Sequence, residues 1–200
     1  MTTFGRLVRG VRARREEQGS VIVEAAIIVP LLILLTFGAI EFGIAFRDSA
    51  AVSSSTRAGA RLASASTGAD TDTFALNTSL AVSDSLKDLM TADPDKLIIY
   101  RANEFGNPPG TSGGDLTTCS DCFIYDWDSG SKTWINQSSA DTWTLEERTD
   151  DICSGGLPSV GVYVKATQPF ITGLFGTTKT LTHKTAMRLE PPSTDQCDGI

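Results

Sequence analysis

Histidine occurs once in this chain, at His183, and basic side chains are outnumbered by acidic ones, 17 Lys and Arg against 24 Asp and Glu. A single imidazole leaves any zinc site dependent on cysteine. His183 itself lies in an alternating stretch with Thr182, Lys184 and Thr185, which makes it an exposed strand residue and not a general base. The deficit of cations removes the clustered Lys and Arg that phosphate contacts need, so nucleic acid is not an expected partner. A Gly-rich phosphate loop, a nucleophile elbow and an HExxH helix are also missing, and with them the common catalytic motifs. Asp126, Asp128, Glu146, Glu147, Asp150 and Asp151 do not follow the spacing of a calcium loop and read as solvated loop charge. No internal repeat of solenoid length is present. The expectation is a protein without enzymatic activity, cofactor or metal.

What the chain does have is one long apolar run. From Val21 to Phe46 the only polar residues are Glu24, Thr36 and Glu41. As a helix this run would span roughly 39 Å at about 1.5 Å per residue, enough to cross a hydrocarbon core of about 30 Å. A soluble core helix of that length would show a polar face, and this one shows none, so it reads as a membrane segment. A cleaved secretory signal would have a shorter apolar core followed by its small-residue cut site. Here the small pair Gly19-Ser20 precedes the run. Five arginines and two glutamates give residues 1–19 a net charge of +3, which leaves −10 for the remainder of a chain whose total is −7. A basic flank before an acidic bulk places the amino terminus in the cytoplasm and the remainder outside, as a single-pass protein.

Glu24 is the anomaly in the run. A carboxyl group at membrane depth costs several kcal/mol unless it is paired or reaches water, so such an acid is a functional candidate. With the basic leader and the side-chain-poor Gly19-Ser20 junction, it resembles the processing site of type IV pilins and pseudopilins. That resemblance implies cleavage after Gly19 by a membrane aspartic prepilin peptidase, Ser20 as the new amino terminus, and Glu24 as the family's fifth-residue acid, active in assembly. Glu41-Phe42-Gly43, the later Arg57-Ala-Gly-Ala-Arg61 stretch and the placement of Pro30 are similar to the TadE-like branch, the minor pilins or pseudopilins of the tight-adherence machinery. The resemblance covers residues 19–65. It implies other pilins, pilus-assembly membrane proteins and the peptidase as partners, and a bacterial cytoplasmic membrane, with an extracellular pilus beyond it, as the location. Read without the resemblance, the same residues describe an uncleaved single-pass anchor with a binding domain, in which Glu24 snorkels to the interface. Arg57 and Arg61 then form a solvated helix face at i,i+4 spacing.

Four cysteines, Cys119, Cys122, Cys153 and Cys197, all lie on the external side. An even number in an oxidising compartment points to two disulfides, with three connectivities open. The Cys119-x-x-Cys122 spacing also suits zinc or redox chemistry, but a redox motif needs a thioredoxin-like βαβ pattern that is absent.

The organisation expected is a cleaved basic leader over 1–19, a long transmembrane and then amphipathic helix over 20–65, and an extracytoplasmic α+β domain over 66–200. Gly68 is a plausible helix stop. Asp70 to Thr73 offers N-cap chemistry for a second helix running from Phe74 to Met90. Lys96 to Ala102, the two arms of a hairpin around Asp128-Ser-Gly-Ser131, Val160 to Ala166, and Lys179 to Leu189 read as strands. Ser138 to Pro158 reads as polar loop. Trp127, Trp134 and Trp143 suit either a sugar- or surface-binding face or a hydrophobic core. The fold class is therefore α+β: a long amino-terminal helix packed on an antiparallel sheet in the type IV pilin manner. The function expected is structural, a minor pilin-like subunit of a Tad-type pilus used in adhesion or secretion.

Overall fold

The computed structural model describes residues 4–108, 116, 121–138, 143–156, 158–173, 176–191 and 197, with side chains from residue 19 onward. The described elements follow in the order α1 (Phe4–Ala65), α2 (Thr71–Leu86), β1 (Asp93–Ala102), β2 (Cys122–Asp128), β3 (Thr133–Asn136), α3 (Leu145–Cys153), β4 (Ser159–Pro169) and β5 (Thr178–Arg188). Two compact units divide the chain, Met1–Gly43 and Ile44–Ile200.

The first unit is helical. Here α1 begins at Phe4, earlier than the Ser20 expected, because no proline interrupts residues 4–19. Pro30 sits inside the helix. The span Gly19–Ala65 has a mean hydropathy of 2.6 in its most apolar window, and only 6 % of that window is buried. Thr36 hides its hydroxyl by donating to the carbonyl of Leu32 at 2.7 Å, the back-bond that lets a polar residue sit in an apolar helix.

The second unit is the α+β body. Its five strands form one antiparallel sheet in the order β3-β2-β1-β4-β5. Alternation sorts the side chains. Leu97, Ile99, Phe123, Tyr125, Val160, Val162, Val164 and Leu181 face a core shared with Val52, Ala60 and Ala63 of α1 and Phe74, Val82 and Leu86 of α2. On the opposite face Ile98, Tyr100, Ala102 and Cys122 form a smaller cluster. The outer stretch of α1, from Ile44 to Ala65, thus packs on the sheet as the α+β class requires.

Gly59, the centre of the Arg57-Ala-Gly-Ala-Arg61 stretch, shows why that packing is close. A Cβ there would lie 2.6 Å from Val82 Cγ2 and 3.3 Å from Val162 Cγ1. The glycine lets α1, α2 and β4 meet at one point, which accounts for the middle of the stretch without any ligand.

Helix α2 begins as the sequence indicates, with Asp70 accepting from the Thr73 amide at 3.0 Å; hydrogen bonding to Thr73, through its side chain first and its amide second, holds the Asp70 carboxyl below its ordinary range. It ends at Leu86, short of the Met90 expected, because residues 90–92 are drawn onto α1 (below). The β2–β3 hairpin is present, and its Asp128 carboxylate accepts from the Ser131 hydroxyl and the Gly130 and Ser131 amides. The region read as polar loop contains α3. Its N-cap Thr144 accepts from the Glu147 amide while Glu147 accepts from the Thr144 amide, a capping box written in the sequence as Thr-x-x-Glu.

Candidate functional site

Four features of the chain have a chemistry of their own: the Glu24 end of the anchor, the polar fastening of α1 to the body, the buried Arg148 of α3, and the cysteine bridge.

At the anchor, Gly19, Ser20 and Glu24 are all exposed on α1, and their neighbours Val21, Ile22, Val23, Ile27 and Leu31 are each more than half exposed. Helical periodicity puts Ser20 and Glu24 on one face, one turn apart. Glu24 has no hydrogen bond or ion pair among the described residues. This is an apolar surface with one unpartnered carboxyl on it, which only a membrane or other apolar helices can cover favourably. Glu41 differs: although it lies near the outer end of the run, it is 3 % exposed. Nearness to the end of an apolar run does not by itself solvate a side chain.

The fastening was not legible as such in the sequence. Asp48 is fully buried. Its carboxylate accepts from the amides of Met90 (2.8 Å), Thr91 (3.1 Å) and Ala92 (2.9 Å) and from the Thr91 hydroxyl (3.1 Å). Three successive backbone donors converge on one anion, and charge-assisted bonds of this kind are the strong ones. Further along α1, Ser49 Oγ lies 3.0 Å from His183 Nε2, Thr56 Oγ1 lies 2.9 Å from Thr185 Oγ1, and the Ser64 hydroxyl donates to the Arg188 carbonyl at 2.7 Å. His183 is therefore partly buried against the helix and has a partner, in place of the exposed strand position expected for it.

Arg148 of α3 is also fully buried. Its guanidinium donates to the carbonyls of Trp143 (2.7 Å), Ala69 (2.6 Å) and Thr67 (3.4 Å) and lies 4.2 Å above the Phe74 ring centroid. Burial pulls its pKa down to about 10, with the Asp70 and Glu147 charges partly opposing the shift, so it stays cationic at neutral pH. Trp143 is 2 % exposed and meets Phe74 edge-on at 5.7 Å; it is a core residue and no part of a sugar-binding face. Trp127 and Trp134 pair across the β2–β3 hairpin, half-buried, with centroids 4.9 Å apart.

Cys153 is bonded to Cys197 across 44 positions of sequence, which removes both from any zinc set. Cys122 is disulfide-bonded as well, while Cys119 lies outside the described residues. Among the described residues no group of three His, Cys, Asp or Glu side chains is placed to hold a metal ion. A bridge closing a loop of that length stabilises a fold by about 2–4 kcal/mol. Cys153→Ser/Cys197→Ser is expected to lower the melting midpoint of the external unit by about 5–10 °C, at about 2–4 °C per kcal/mol for a domain of this size. An unchanged midpoint in a thermal scan would show that the bridge holds only a frayed tail.

Fold and anchor together define a class: α+β proteins carried on one amino-terminal helix long and apolar enough to cross a membrane. Residues 19–61, about a fifth of the chain, match the family model described as TadE-like protein. The anchor and the first turns of the helix that enters the body are thus similar to TadE-like proteins. Comparison with curated proteins and with solved structures gave no match.

Proposed function

We propose that the chain is a minor pilin-like structural subunit of a Tad-type pilus. In this reading prepilin peptidase removes residues 1–19 from the cytoplasmic side. Ser20 becomes the amino terminus, and the subunit waits in the cytoplasmic membrane with its body outside until it enters or initiates a filament. Its partners are other pilins and the membrane proteins of the assembly machinery, and its role is structural and not catalytic.

The observation that carries this reading is Glu24, an exposed carboxyl without a partner among the described residues, on a helix that is TadE-like over residues 19–61. After cleavage the α-amino group of Ser20 is a cation one helical turn away, and a single helix does not easily bring both groups to good geometry. Helices staggered along a filament axis can pair the Glu24 of one subunit with the Ser20 amine of another. Two charges about 4 Å apart attract by about 4 kcal/mol at an intermediate effective dielectric, and desolvation cancels much of that. The pair therefore acts chiefly on register, favouring one stagger over others.

One observation favours a second reading, an uncleaved anchor bearing a binding domain. Helix α1 runs unbroken through Gly19 and Ser20, so the junction has to unwind before an aspartic peptidase can take it as an extended strand. Intact-mass measurement on protein from its native envelope separates the two: loss of residues 1–19 is expected, and a full-length mass would end the pilin reading. With cleavage established, Glu24→Gln should leave insertion and folding intact and lower crosslinking to other pilins at least fivefold. Equal yields would remove Glu24 from assembly.

A further inference from the structure

The outer face of α1 carries the two arginines of the Arg57-Ala-Gly-Ala-Arg61 stretch. Arg57 and Arg61 are exposed, one turn apart, and neither has an ion pair or hydrogen bond among the described residues. With Ala58, Leu62 and Ala81 they line a groove of about 530 Å³ between α1 and α2. Leu62 is 38 % exposed there, and Leu76 and Leu80 on α2 are each more than half exposed. A groove flanked by two free cations, on a protein whose remaining residues are strongly acidic, is complementary to a helix face that carries acids one turn apart.

The chain itself supplies such a helix. On α3, Glu146 and Asp150 stand one turn apart, both exposed, and their carboxylates have no hydrogen bond or ion pair among the described residues. Each pair has the same i,i+4 spacing, with about 5–6 Å between Cβ atoms, so one can be laid along the other in register. Within one subunit α3 is committed elsewhere: Arg148 ties it to Thr67, Ala69 and Trp143, and Asp151 is ion-paired to Arg101 at 2.8 Å. The donor of the acidic face is therefore a neighbour.

We infer that the α1–α2 groove receives helix α3 of a second copy of this chain, with Arg57 and Arg61 facing Glu146 and Asp150. The contact joins two different patches. It does not close on itself by two-fold symmetry and repeats from copy to copy, into a ring or an open helical array according to the rotation between copies. Ion pairs at an exposed rim are weak and screened by salt, so they select the partner face while Leu62, Ala58 and Ala81 of the groove supply the contact area. The contact goes beyond the proposed function and involves the external unit alone, so it stands or falls apart from the cleavage and from Glu24.

The test uses the full chain in membranes, as two differently tagged copies, one of them carrying a photo-crosslinking residue at Leu62. Wild type should give a copy-to-copy adduct that maps to residues 145–153 and falls as salt is raised. Arg57→Glu/Arg61→Glu in the photo-crosslinking copy should lower the adduct at least fivefold, as should Glu146→Arg/Asp150→Arg in the other copy. Mixing the two reversed copies should restore it to within twofold of wild type. Melting midpoints for each variant guard against misfolding, and Asp150→Lys alone, away from the α3 capping box, serves where the double change does not fold. An adduct that maps outside α3, that forms only with other proteins, or that ignores the reversals would overturn the inference. So would a failure of the mixed pair, both folded, to regain it.

Discussion

Asp48→Ala is expected to destabilise the external unit by about 3–5 kcal/mol, the range for removing one partner of a buried, charge-assisted network. The reason is what the change leaves behind. Three consecutive amides, at Met90, Thr91 and Ala92, point at the carboxylate from the loop between α2 and β1, the last of them buried. Removal of the acceptor forces the loop either to keep buried, unpaired N–H groups or to lift away from α1. Either way the connection between α2 and β1 loosens. At about 2–4 °C per kcal/mol the melting midpoint should fall by about 10–15 °C. Asp48→Asn should recover less than half of the loss, since an amide places a donor where the second oxygen accepts. A thermal scan in which Asp48→Ala melts within 2 °C of wild type would mean that the carboxylate does not hold this loop.

Arg148→Met should cost about 2–4 kcal/mol, although methionine keeps most of the stem volume in a site closed to solvent. The carbonyls of Thr67, Ala69 and Trp143 lose their donors together, and the Phe74 ring loses the cation above it. Because Thr67 and Ala69 belong to the turn between α1 and α2, the effect should appear in hydrogen exchange at residues 66–73 as well as in the melt. Arg148→Lys should recover little, since one ammonium cannot span three acceptors in the plane that a guanidinium offers. Protection of residues 66–73 unchanged in Arg148→Met would show that α3, and not the arginine, fixes that turn.

These two residues also mark the limit of what can be read from sequence. The apolar run, the Asp70 cap of α2, the hairpin at Asp128, the short apolar strands β1 and β4 and the alternating strand β5 are local patterns, and they lead to the α+β class directly. Asp48 sits among Arg47 and Ser49 at the start of a polar stretch, where a carboxylate reads as solvent-facing. Only the folding back of residues 90–92, more than forty positions away, makes it a core residue. Arg148 has the same history, and a lone arginine between acids carries no local sign of burial. Helix α3 is a different case. Its Thr144-x-x-Glu147 signature was legible, but the acidic residues after it masked a helix only nine residues long. Glu24 stood out early because its surroundings are sequence neighbours, and its role in register depends on chains that a single subunit does not contain.

The three hydroxyl contacts between α1 and β5 have a mechanical meaning. Ser49, Thr56 and Ser64 meet His183, Thr185 and Arg188 in the same order along both elements, so helix and strand run in the same direction. A pull on the body from the amino-terminal side of α1 therefore reaches the sheet as shear. The three contacts and the Asp48 cluster carry the load together and do not open one after another from one end. A subunit attached in this way should resist traction along the helix axis far better than traction across it, which is the asymmetry required of an element through which tension is transmitted.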